Sequence, residues 1–97
     1  MKVLISEGFG AGWSTWSDYG IDLAIDKRII KAIEGGASKE DVSELCEDLG
    51  YTRVYMGGFD GLTVVEVPNG SRFRIKEYDG NESIEVYNEK EWILAKD

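Results

Sequence analysis

Histidine is absent from the 97 residues, and cysteine and proline occur once each, as Cys46 and Pro68. Without histidine there is no imidazole to shuttle protons near neutral pH, no Ser-His-Asp triad and no histidine-containing zinc site. A single cysteine cannot form an intramolecular disulfide, so the core must hold the fold. Cys46 falls on the apolar stripe of a predicted helix, the usual place for a buried, unreactive thiol. No apolar run approaches the ~20 residues that a bilayer requires. The acidic Glu7 follows Val3-Leu4-Ile5 too soon for a secretory signal. Positive charge is scarce as well: 11 Lys and Arg face 19 Asp and Glu, a formal net charge of −8. That balance argues against direct binding of DNA, RNA or anionic membranes, and it suits a basic protein partner. The expected location is the cytoplasm, and no metal or other cofactor is expected.

What remains is 42% hydrophobic and 31% charged, a composition that reads as one globular domain over residues 1–97. Residues 2–6 form a β-rich run. Ile21, Ile25, Ile29, Ala32 and Ile33 recur at helical spacing and predict a helix over 21–34, capped by Asp18 or Asp22. Ser38-Lys39-Glu40-Asp41 has the form of a capping box. Val42, Leu45, Cys46 and Leu49 then follow with the i, i+3, i+4, i+7 spacing of a second helix, which Gly50 ends.

Beyond residue 50 the pattern is strand and turn. Strands are predicted at 51–56, 62–67, 71–78 and 82–87, with an edge strand at 91–95. Asp79-Gly80 predicts a two-residue hairpin that pairs Ile75 with Ile84, Phe73 with Val86 and Arg74 with Glu85. The same register sets Glu77 against Glu82, a like-charge pair that counts against it. A three-residue turn on the other side of the 71–78 strand would set Arg74 opposite Glu66. The expected fold is α+β: an antiparallel sheet of about five strands with two helices on one face, in the order β-α-α-β-β-β-β. Its expected core includes Ile25, Ile29, Leu45, Leu49, Phe73, Ile75, Ile84 and Val86.

Four segments are candidates for a site. In the loop of residues 8–20, Gly8, Gly10 and Gly12 would let a ligand approach the backbone. Phe9, Trp13, Trp16 and Tyr19 offer flat rings, and Ser14, Thr15 and Ser17 offer hydroxyls. A phosphate near the loop amides with a base stacked on a tryptophan is one reading, and plain core packing of a tryptophan is the other. The segment 55–61 repeats the combination, with Tyr55 and Phe59 among glycines, and would lie beside the first loop if the strands at 2–6 and 62–67 are neighbours. Arg72, Arg74 and Lys76, with Arg53, form a basic stripe, of which Arg72 is the phosphate-binding candidate and Arg74 the member of a charge ladder. The acidic face Glu40, Asp41, Glu44, Glu47 and Asp48 either docks on a basic protein or is simply solvated.

The stretches Val3-Leu4-Ile5 with residues 8–16 (GFGAGWSTW), residues 54–62 (VYMGGFDGL) and residues 75–80 (IKEYDG) resemble a family of small proteins of tailed bacteriophages and prophages. The resemblance covers about a third of the chain and implies no catalytic residues. It implies a phage accessory protein acting in the host cytoplasm, of a kind that often disarms host defence. Two functions are then expected. One is a non-enzymatic sponge, compatible with homo-oligomer formation, that sequesters a small nucleotide signal in the two Gly/aromatic loops. The other is an inhibitor that binds a host nuclease or immune effector through Glu40, Glu44, Glu47 and Asp48.

Overall fold

Strand β1 (Lys2–Ser6) is buried along all but its first residue, because both of its faces are covered. A computed structural model describes residues 1–87. It pairs β1 with β2 (Leu62–Glu66) in an antiparallel ribbon, Leu4 opposite Val64 and Val3 opposite Val65. Successive side chains of a strand point to opposite faces, so β1 serves two cores at once. Leu4 joins Trp13, Leu23, Ile29, Ile30, Val42 and Cys46 in a cluster with the helices. Val3 and Ile5 join Ala24 and Val67 in a second cluster, against which Phe73, Ile75 and Ile84 pack.

The helical layer differs in detail from the sequence expectation. The predicted helix over 21–34 is two pieces, a single turn α1 (Ile21–Ala24) and α2 (Lys27–Glu34). Asp26 breaks it. Its backbone is extended and its side chain accepts from the Arg28 amide, so a residue that favours caps over helix interiors starts a new helix. Neither Asp18 nor Asp22 is the cap: Gly20 precedes α1 with φ 58°. The helix α3 (Lys39–Asp48) begins at Ser38 as expected, with the Ser38 hydroxyl accepting from the Asp41 amide.

The predicted strand at 51–56 is not formed. The chain leaves α3 through Gly50 and a turn with Arg53 at φ 59°. Tyr51 there donates its hydroxyl to Asp26 at 2.9 Å, and its ring meets Tyr19 edge-on. The aromatic and β-branched run thus ties a loop to the helices rather than entering a sheet.

The remaining strands, β3 (Arg72–Tyr78) and β4 (Asn81–Tyr87), form a hairpin in the expected register. Ile75 faces Ile84, Phe73 faces Val86 and Arg74 faces Glu85. The described strands form two two-stranded sheets instead of one sheet of five. Glu66 pairs with Lys2, so Arg74 never meets it. On the unpaired edge of β1, the Ser6 amide donates to the Glu82 side chain rather than to a backbone carbonyl of β4. The helices α2 and α3 therefore cover one side of the β1–β2 ribbon and the β3–β4 hairpin the other, with Ala24 of α1 reaching the hairpin side. Of the expected core, Ile29 is buried, while Ile25, Leu45, Leu49, Phe73, Ile75 and Ile84 are half-buried. Val86 is not core, being 44% exposed near the far end of the hairpin. The edge strand expected at 91–95 lies outside the described residues.

Candidate binding face

The loop of residues 8–20 and the β3–β4 turn are built into one another. The Gly10 amide donates to the Asp79 carbonyl at 2.6 Å, and the Gly12 amide to the Gly80 carbonyl at 2.7 Å. The Gly8 amide donates to the Asn81 side chain at 2.9 Å. At the centre is Glu82, only 1% exposed. One of its oxygens accepts from the Ser6 amide at 2.9 Å. The other accepts from the Trp13 amide at 2.9 Å, the Thr15 amide at 3.0 Å and the Thr15 hydroxyl at 2.5 Å. No cation pairs with Glu82 among the described residues. A buried carboxylate is tolerated when several donors spread its charge, and four do so here.

This arrangement corrects the phosphate reading of the loop. The amides of Gly8, Gly10, Gly12, Trp13 and Thr15 are engaged by the hairpin, and the anion that Trp13 and Thr15 hold is the protein's own Glu82. The two glycines at the closest approach are there for steric reasons. A side chain on Gly12, at φ 47°, would overlap the Trp16 indole, and one on Gly80 would press on the Gly10 and Ala11 amides.

The segment 55–61 does lie beside the first loop. The Tyr55 hydroxyl donates to the Gly10 carbonyl at 3.0 Å, the Ser6 hydroxyl donates to the Gly58 carbonyl at 2.7 Å, and the Glu7 amide donates to the Gly61 carbonyl at 2.9 Å. Four rings consequently stand on one backbone platform. Phe9 and Tyr78, 71% and 76% exposed, meet edge-on with centroids 6.1 Å apart. Trp16 and Tyr55 are each 42% exposed and tilt against one another at 5.2 Å. The Trp16 indole N–H donates to Glu77 at 3.2 Å, and the same carboxylate accepts the Gly80 amide at 2.6 Å. Glu7, Asp60, Glu77 and Asp79, all exposed, lie in the segments that carry these rings.

The other expected site residues do not converge here. Trp13 is core, and its indole N–H has no hydrogen-bond partner among the described residues. Ser14 is buried, and Thr15 is spent on Glu82. Tyr19 packs on Tyr51 and hydrogen-bonds Thr52, while Phe59 is half-buried against the helix-side cluster. Arg72 is at the opposite end of β3 from the turn, paired with Tyr87. Arg74 and Lys76 both reach Glu85, at 3.2 and 3.3 Å, as a charge ladder. Glu40, Glu44, Glu47 and Asp48 are exposed along α3, with Glu47 accepting weakly from the Arg53 amide. Cys46 is buried, and burial pushes its thiol up to about 11, which removes it as a nucleophile.

Among the described residues no group of three or more Cys, Asp or Glu side chains is placed to hold a metal, and no helix is long and apolar enough to cross a membrane. Compared with family models, curated proteins and solved structures, the chain matches none.

Sequence reasoning missed Tyr78, Asn81 and, above all, Glu82. The signal was present in the Glu77–Glu82 pairing. Two carboxylates opposite each other beside a tight turn need donors, and a glycine-rich loop can supply backbone amides.

Proposed function

We propose that this chain is a non-enzymatic binding protein that docks its aromatic face on the basic surface of a partner protein. The observation that carries this reading is the set of four exposed rings, Phe9, Trp16, Tyr55 and Tyr78, fixed on a hydrogen-bonded platform whose segments also carry the exposed Glu7, Asp60, Glu77 and Asp79. Aromatic residues dominate binding hot spots, and a platform ordered in advance loses little entropy on association. Arginine and lysine stack on such rings, and the carboxylates of these segments with the net charge of −8 draw a basic surface in. Proteins that grip nucleic acid carry such surfaces, so a host nuclease or immune effector is the class of partner that fits. A nucleotide at the same face would need donors for its phosphate, whereas the loop amides are already engaged and the nearest side chains are acidic.

The test is affinity purification from host cells with a double substitution, Phe9→Ala with Tyr78→Ala. Both rings are largely exposed, so stability should barely change. The parent should retain a basic protein that the double variant loses, with at least a 30-fold drop in affinity if each ring contributes about 1 kcal/mol or more. Glu44→Lys with Glu47→Lys should keep most of the binding. A retained nucleotide that disappears with the ring substitutions, with no protein bound, would overturn the proposal.

A further inference from the structure

The few positive charges of this acidic chain are not evenly spread. A cleft of about 500 Å³ opens at the N-terminal end of β1, away from the aromatic face, and Lys2, Lys27 and Lys31 all line it. Its apolar wall is Ile25 and Ile30, the latter almost wholly buried. Glu34 also lines the cleft, but its carboxylate is met by Lys2 at 2.7 Å.

Of the two remaining lysines, Lys27 is placed against the electrostatics of its helix, while Lys31 is in the last turn, where the dipole favours a cation. Lys27 opens α2, where the helix dipole disfavours a cation. Lys31 follows four residues later on the same face, a like-charge spacing that weakens a helix. The other cation of this first turn, Arg28, is neutralised by Asp26 in a two-pronged contact at 2.7 and 3.1 Å. Lys27 and Lys31 have no ion pair among the described residues. An anion seated between them would relieve both conflicts.

We infer that this cleft is a binding site for a small organic phosphate, with the phosphate between Lys27 and Lys31 and an apolar or planar body against Ile25 and Ile30. The volume falls in the range of ordinary small-ligand sites, and it exceeds what a bare phosphate would fill. The site is separate from the aromatic face, so its test does not depend on the protein-docking proposal.

AMP serves as the probe, with adenosine and pyrophosphate separating the two halves of the ligand. In titrations followed by backbone amide shifts at low ionic strength, AMP should bind at least tenfold more tightly than either. Its shifts should centre on Ile25, Lys27, Ile30 and Lys31. Lys27→Gln with Lys31→Gln should weaken AMP at least tenfold, while the ligand-free variant, changed only at two exposed side chains, should melt within a few degrees of the parent. Unchanged AMP affinity in the double variant, pyrophosphate binding as tightly as AMP, or no saturable shifts with AMP would each overturn the inference.

Discussion

Replacing Glu82 by glutamine exchanges one carboxylate oxygen for an amide group and leaves the side chain almost the same size. In the parent, one oxygen takes a single donor, the Ser6 amide, and the other takes three, from Trp13 and Thr15. The glutamine oxygen can replace either one, but not both. Placed towards Trp13 and Thr15, it turns its NH₂ group against the Ser6 N–H; reversed, the NH₂ group faces three donors. The better orientation forfeits one bond to a charged acceptor and weakens three others. Bonds to charged groups contribute about 1.5–3 kcal/mol each and a buried unmet donor costs about 1–3, so a loss of about 3 kcal/mol is expected. In urea unfolding followed by far-ultraviolet circular dichroism, that is a fall in midpoint of about 1–3 M. Glu82→Ala leaves all four donors unmet and should remove most of the 5–15 kcal/mol that a small domain has. Glu77→Gln is the control, since both donors reach a single oxygen of an exposed side chain, which glutamine keeps, and the change should cost under about 1.5 kcal/mol. If the Glu82→Gln midpoint matched that of Glu77→Gln, the buried carboxylate would not be what holds the loop.

The two tryptophans of the loop should separate cleanly in thermal melts. Trp13→Ala should lose about 3–5 kcal/mol as a core truncation, whereas half-exposed Trp16 should lose less than about 2, and equal losses would refute the placement. Asp26 gives a pH signature: its carboxyl is lowered from 3.8 to about 2, chiefly by hydrogen bonding from the Arg28 side chain. A depressed folded-state value means stability that is present above the unfolded value of 3.8 and lost as pH falls through about 2. With Arg28 largely exposed, about 1–2 kcal/mol is expected. The stability gap between the parent and Asp26→Asn should therefore be present at pH 6 and shrink towards pH 2, and a gap that did not change with pH would refute the assignment.

Local signals were read correctly where one element decided them. Ser38 and Gly50 bound a helix whose apolar spacing has no rival, and Asp79-Gly80 sets the register of a hairpin by turn geometry alone. Failures came where a side chain served a distant segment. Asp26 reads as a polar position in the helical period, yet it caps a helix and holds Tyr51. Tyr51 and the residues after it have the composition of a strand, but their partner is a helix end. Phe73, Ile75 and Ile84 alternate as core residues should, but they pack on only the Val3 and Ile5 side of a narrow ribbon, which leaves them half-covered. At the candidate site, the aromatic and glycine content of residues 8–20 pointed to the segment that carries Phe9 and Trp16 of the exposed aromatic face. The identity of the bound anion did not follow, because periodicity carries no information about a contact 69 residues away.

The Glu82 contact also orders events in time. Ribosomes deliver the glycine-rich loop early, but its stabilising carboxylate arrives some 70 residues later, after the helices and β2. Until then the loop amides have only water, and closing so long a stretch of chain must precede any gain from the contact. On this ground the loop of residues 8–15 is expected to become fixed in the same step as the hairpin. A nascent chain stalled before residue 82 would leave the amides of Ser6, Trp13 and Thr15 without the carboxylate they donate to, and the loose loop would be a handle for chaperones or proteases.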